Sequence, residues 1–184
     1  MQRLAVLGPD GTYSSEAARA YLARTNKNYE ILWCSKISEC YESLRKKEAD
    51  LAIVPLENSI SGLVKETLEI LNNKEIKTID TITTPIHNYL MATSKIKLSD
   101  IRYVHSKDKV LAQCSEYLSQ LNQQIQPVQQ YSTSAAAVRV QHLNNPSHVA
   151  ICPKRCSELY SLEIIAEKIE NDKNNKTEFI IITL

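Results

Sequence analysis

The chain has 184 residues, 43% of them hydrophobic and 23% charged, with a formal net charge of +1. That length suits one domain or two small lobes with a real core, and the near-neutral balance argues against a general nucleic-acid binder, which concentrates excess Lys and Arg. The N-terminal apolar run meets Gly8-Pro9 too early to be a signal-peptide core, and no run approaches the roughly 18 apolar residues of a membrane span. A cytoplasmic protein with no membrane or nucleic-acid partner is therefore expected.

In chain order, RLAVLG reads as a buried strand and SSEAARAYLART as a helix capped by Ser14 or Ser15, with Ala17, Ala18, Tyr21 and Leu22 on one face. YEILWC is the next strand, with Trp33 expected in the core. ISECYESLRKKEA follows as a helix with Ile37, Cys40, Tyr41 and Leu44 inward, then DLAIVPLE as a strand and SGLVKETLEILNN as a helix. This order predicts a parallel sheet covered by helices. After the extended stretch KTIDTITTP comes a second series: strands IHNYLMATS and IRYVHS, helix KVLAQCSEYLSQL, strand IQPVQQYS, helix SAAAVRVQHL, strand HVAICP and helix RCSELYSL. The expected organisation is a first α/β lobe over residues 1–81 and a second over 82–184, with 163–184 free to cross back to the first. Ligands of open α/β sheets sit beyond the carboxyl ends of strands, so the strand-to-helix turns are where chemistry is sought.

Three glycines in the whole chain leave no Gly-rich nucleotide loop. Five cysteines are an odd number without zinc-like pairing: Cys152 and Cys156 enclose PKR, and neither a second pair nor a nearby His completes a ligand set. They are expected to be reduced thiols packed as small apolar groups, with no metal site.

Four turns are rich in hydroxyls and amides: GPDGTYSS (8–15), PLENSISG (55–62), HSKDK with Gln113 one turn later, and YSTSAAA (131–137). Each is expected to end at a helix N-terminus, where free N–H groups and the dipole favour an anion by about 0.3–1 kcal/mol per exposed interaction. Together they suit a small molecule rich in carboxylates. The simpler reading makes Ser14, Ser61 and Ser132 or Thr133 plain helix caps. Capping does not explain Glu57 and Asn58 at the end of an apolar strand, because Ser59 or Ser61 could cap the helix that follows.

GPDGTYSSEAA, VPLENSISGLVKETLEIL, SKDKVLAQC, STSAAA and NNKTEF, in this order over the whole chain, resemble the catalytic domain of the prephenate dehydratase family. The resemblance implies a fold of two α/β lobes, like a type II periplasmic binding protein, with the active site in the inter-lobe cleft. It implies that prephenate loses CO2 and water to give phenylpyruvate without metal or organic cofactor. By match to the family's Thr-Arg-Phe, Thr177 becomes the residue at the departing hydroxyl. The Glu-Asn-Ser turn becomes Glu57, Asn58 and Ser59, the serine after the first strand of the second lobe Ser106, and the family glutamine Gln113. Thr177, Glu57, Asn58 and Gln113 form the expected catalytic set. Thr12, Ser14, Ser59, Ser106, Lys107, Ser132, Thr133 and Phe179 are the expected substrate contacts. Glu57 is either an acid at the hydroxyl or an orienting group.

Biosynthetic members usually continue into a phenylalanine-binding ACT domain, for which this length leaves no room, so phenylalanine inhibition is expected to be absent. The family commonly dimerises, and a homodimer is compatible with the sequence. Two departures stand out: Glu178 replaces the family Arg, and SKDKV replaces the common SHPQA, introducing Lys107 and Lys109. If Thr177 and Phe179 face the site, strand alternation puts Glu178 on the other face with Lys176, where the two could pair; alternatively Lys107 or Lys109 supplies the missing cation. Two further functions stay open at this point: a non-aromatising prephenate decarboxylase giving dihydro-4-hydroxyphenylpyruvate for secondary metabolism, and an inactive module binding prephenate or an aromatic keto acid.

Overall fold

The computed structural model describes residues 2–121 and 124–184. The chain divides into two units, one running to Ile86 and including Asn174–Leu184, the other spanning His87–Lys173. Each is an α/β unit with its own sheet, the α/β organisation expected above.

In the first unit, strands β1 (Arg3–Leu7), β2 (Glu30–Cys34) and β3 (Leu51–Asn58) pair in parallel in the order β2-β1-β3. The sheet continues through the C-terminal strand β11 (Lys176–Thr183), antiparallel to β3, and ends on β5 (Lys77–Pro85), antiparallel to β11. The stretch expected to be a connector is thus an edge strand, and NNKTEFIIITL runs through the sheet interior. That position explains why β11 is apolar on both faces. Ile180 and Ile182 pack with Ala5, Ala52 and Val54 against Ile37, Cys40 and Leu44 of helix α2 (Ile37–Arg45). Phe179 and Ile181 pack with Leu4, Val6 and Ile53 against Ala17, Ala18 and Tyr21 of helix α1 (Tyr13–Thr25).

Three local expectations are corrected. Helix α1 begins at Tyr13 with Thr12 as its cap, not Ser14 or Ser15: Thr12 Oγ1 accepts from Ser15 N at 3.3 Å, while Ser15 Oγ accepts from Gly11 N at 3.0 Å. The segment after β3 first forms a two-residue strand, β4 (Gly62–Leu63), so helix α3 (Lys65–Leu71) starts late with Val64 at its cap position and no capping side chain. Gly62 lies at φ 75°, the left-handed region that only glycine enters without cost. Trp33 is 39% exposed rather than core; it lies against Gly8, where an added Cβ would be 2.8 Å from the indole.

The second unit has the strand order β10-β6-β9-β7-β8, with β6 Tyr89–Ala92, β7 Tyr103–Ser106, β8 Gln126–Gln129, β9 His148–Cys152 and β10 Glu163–Ala166. β7 pairs in parallel with β8 and β9, and β6 antiparallel with β9 and β10. Helices α6 (Thr133–Leu143) and α7 (Arg155–Tyr160) supply part of its core. The single helix expected over KVLAQCSEYLSQL is instead two, α4 (Asp108–Gln113) and α5 (Ser115–Leu121), broken at Cys114. Asn171 satisfies the groups freed by the break: its N–H donates to Gln113 O at 2.7 Å, and its side-chain oxygen accepts from Glu116 N at 3.1 Å. Beside it, the buried Glu170 carboxylate accepts from Asn88 N at 2.9 Å and pairs with His87 Nδ1 at 3.0 Å. All five cysteines are buried, and none is joined in a disulfide among the described residues. No helix among the described residues is long and apolar enough to cross a membrane.

A histidine pair, buried at His105 and half-buried at His148, gives this unit a pH signature. His105 Nε2 and His148 Nδ1 lie 2.9 Å apart, with the Tyr103 ring stacked on His148 at 4.4 Å. Burial first, then His148 and Arg139, push His105 down to about 4 from an ordinary 6.5. The unfolded chain therefore binds a proton that the folded chain refuses, so the contribution is complete above about pH 6.5 and shrinks as pH falls towards 4. Urea unfolding of wild type and His105→Gln at pH 7 and pH 4.5 checks this. The wild type should lose about 2–3 kcal/mol more than the variant between the two pH values.

Candidate active site

The family-matched residues of the first unit meet where β3 and β11 pair. The register sets Asn58 opposite Thr177 and Glu57 opposite Glu178, and a bulge then leaves Leu56 unpaired so that Phe179 faces Pro55. On its other side, β11 sets Thr177 opposite Thr84 and Glu178 opposite Thr83. Two adjacent rows therefore cross three strands: Asn58-Thr177-Thr84 and Glu57-Glu178-Thr83. Directly opposed residues share a face and neighbouring rows take opposite faces.

The first row is a directed hydrogen-bond network. Asn58 ends β3 in an Asx turn, its Oδ1 accepting from Ile60 N at 3.1 Å, Ser61 N at 3.0 Å and Ser61 Oγ at 3.2 Å. Two backbone donors fix which way the amide points. Its Nδ2 therefore faces Asn175 Oδ1 at 2.8 Å, Thr177 Oγ1 at 2.9 Å and Lys176 O at 3.0 Å. Thr177 is thus the acceptor in its bond to Asn58, and its own O–H proton is left to be given elsewhere. Ser59 ties the end of β3 to the start of β11, donating from N to Lys176 O at 3.0 Å and accepting at Oγ from Lys176 N at 3.1 Å.

The second row has a different character. Glu57 and Glu178 stand opposite each other and, with Ser59, Thr83 and Lys176, line an open recess of about 240 Å³. Lys176 shares that recess, yet no ion pair joins it to Glu178 among the described residues. Like charges directly opposed on a sheet are unfavourable. Glu57 is thus set on the face away from Thr177.

The remaining expected residues are placed individually. Thr12 and Ser132 are helix caps, Ser132 Oγ accepting from Ala135 N at 3.0 Å, with Thr133 buried behind it. Ser14 is buried in the first turn of α1. Ser106 is fully buried and spends its proton on Ile151 O at 2.7 Å, tying β7 to β9. Lys107 is the exposed residue at the cap position of α4, and Gln113 is half-buried at that helix's end. Phe179, at 1% exposure, is a core residue. The turn at 55–62 leads into β4 rather than a helix, so it offers no helix N-terminus to an anion.

Two residues were missed. Among the described residues, Asn175 is buried, accepts from Asn58 and has a side-chain Nδ2 without a hydrogen-bond partner; Thr84 is buried and its hydroxyl has none there either. Asn175 lies in the quoted stretch NNKTEF but reads as a turn residue. Thr84 carries no signal at all until β5 is paired with β11.

A two-sheet α/β fold whose β3 mouth positions a threonine through an asparagine defines the class, and comparison with known proteins narrows it. The family model for prephenate dehydratase matches residues 4–184, and the chain belongs to that family. It is 36% identical over 175 residues to a prephenate dehydratase of Methanocaldococcus jannaschii, covering 95% of this chain and 62% of that protein. It is 31% identical over 182 residues to the bifunctional chorismate mutase/prephenate dehydratase of Escherichia coli, covering 98% of this chain and 46% of that one. The chain thus spans about half the length of the curated relatives it matches first. Among solved structures, prephenate dehydratase from Arthrobacter aurescens in complex with L-Phe superposes with a TM-score of 0.87 at 28% identity, covering 98% of this chain and 60% of that one.

Proposed function

We propose that this chain is a lyase converting prephenate to phenylpyruvate, CO2 and water, as a step towards phenylalanine. Family membership supports the substrate. The observation that carries the chemistry is the Thr177 hydroxyl, held as an acceptor by Asn58 so that its own proton is left to give. Expelling the ring carboxylate as CO2 sends an electron pair into the ring, the allylic hydroxyl leaves across it, and aromatisation drives the reaction. Hydroxide is a poor leaving group, and a positioned donor that gives it a proton lowers the barrier. Thr177 takes that role, and Asn58 sets its direction. Gln113 and the hydroxyls at Thr12, Ser14, Ser59 and Ser132 are candidates for holding the carboxylates, with Lys107 as a candidate cation. Ser106, Thr133 and Phe179 are better suited to supporting the fold, and Glu57 to shaping the mouth of β3 than to protonating the substrate beside Thr177. The lyase is expected to act in the cytoplasm, with a homodimer the assembly to test by light scattering.

Incubating the purified chain with prephenate at neutral pH and following proton NMR is the test. Aromatic phenylpyruvate signals are expected. A product that keeps non-aromatic vinyl protons and a hydroxyl-bearing ring carbon would overturn dehydration in favour of decarboxylation alone. Thermal stabilisation by prephenate without turnover would make the chain a binding module.

A further inference from the structure

We infer that Thr84 is a positioning residue for Thr177, supplying a hydrogen bond that forms as Thr177 gives up its proton. The inference rests on the dehydratase reading and deepens it. Thr84 lies directly opposite Thr177 in the β5–β11 ladder, on the same face and in the same row as Asn58. Both threonines are 8% exposed, and the Thr84 hydroxyl has no hydrogen-bond partner among the described residues. An unpaired buried hydroxyl is costly and uncommon. Across an antiparallel pair, opposed threonines are close enough to bond through their hydroxyls, and a turn of χ1 brings the Thr84 proton to Thr177 Oγ1.

The chemistry gives that idle donor a use. In the ground state Thr177 Oγ1 is neutral and receives one bond, from Asn58 Nδ2 at 2.9 Å. As the allylic C–O bond breaks, the Thr177 proton passes to the departing hydroxide to make water, and negative charge develops on Oγ1. A second donor then engages: Asn58 holds one side of the oxyanion and Thr84 the other, until a proton from solvent restores the hydroxyl. An interaction absent from the ground state and present in the transition state accelerates the chemical step instead of tightening substrate binding. Burial strengthens it, since water does not compete. Asn175, whose Nδ2 is likewise unpartnered, anchors the Asn58 amide from behind.

The experiment compares wild type, Thr84→Val and Thr84→Ser by steady-state kinetics on prephenate and by melting without ligand. Thr84→Val is expected to lower kcat about 10- to 100-fold with little change in KM, and to leave Tm unchanged or raise it, because an unsatisfied hydroxyl has been removed. Thr84→Ser, which keeps the hydroxyl, should stay within about threefold of wild type in kcat. Unchanged kcat in Thr84→Val overturns the inference. So does a loss of kcat that comes with a matching loss of Tm, or one that serine fails to rescue, since either marks a packing role. If wild type itself yields no phenylpyruvate, it is the dehydratase reading that fails. The role of Thr84 is then overturned with it unless wild type yields a decarboxylated, non-aromatic product, Thr177 giving its proton to the ring carbon in place of hydroxide, at a rate that Thr84→Val lowers.

Discussion

Replacing Thr177 by Val should lower kcat for phenylpyruvate formation by about 100- to 10,000-fold, the range spanned by a well-placed general acid. The substitution keeps the shape of a side chain that is 8% exposed in the middle of a sheet, and β-branched valine suits a strand at least as well as threonine. What disappears is one oxygen. Asn58 Nδ2 retains Asn175 Oδ1 at 2.8 Å and Lys176 O at 3.0 Å as acceptors, so its two protons stay satisfied and the stability cost should be no more than about 1 kcal/mol. A large kinetic loss in a folded protein with nearly unchanged KM would mark an interaction made in the transition state. A loss of less than threefold would remove Thr177 from the reaction and leave proton delivery to another group.

Much of the fold is legible in the sequence because its signals are local. Apolar runs and helical periods place β1, β2, β3, α1 and α2, and the five cysteines, read as packing groups, are all buried. What is not legible depends on pairing. KTIDTITTP is mostly exposed along its length; only its ladder with β11 makes Thr84 the neighbour of Thr177. The Glu57-Asn58-Ser59 run looks like one functional turn, yet a pleat separates consecutive side chains. It sends Asn58 into the row of Thr177 and Glu57 into the row of Glu178. The break at Cys114 is invisible for a similar reason, since it depends on Asn171 arriving from more than fifty residues away to satisfy the freed backbone groups. Composition identifies hydroxyls; which of them has already spent its proton, as Ser106 has on Ile151 O, is decided by the fold.

Asn58→Asp should be nearly as damaging as loss of the Thr177 hydroxyl, for a reason of polarity rather than shape. The new carboxylate can still accept from Ile60 N and Ser61 N with one oxygen. Its other oxygen would replace a donor that now faces Asn175 Oδ1, Lys176 O and Thr177 Oγ1. Asn175 can turn its amide and present its unpartnered Nδ2, while the Lys176 carbonyl loses that donor and is brought against an acceptor; about 1–3 kcal/mol of stability should be lost. Thr177 can adapt only by turning its own proton inward. The hydroxyl that was free to give a proton to the substrate would then be held by a charged acceptor, and such bonds are the stronger kind. The expected result at pH 7 is a fall in kcat of about 100-fold or more, with partial recovery at low pH, because protonating the carboxyl restores a donor towards Thr177 and frees its proton again. Adding Asn58→Asp to Thr177→Val should cost little further kcat, since both changes act on the same proton. Wild-type turnover in Asn58→Asp at neutral pH, or full additivity in the double variant, would show that the orientation of the Thr177 hydroxyl does not control the reaction.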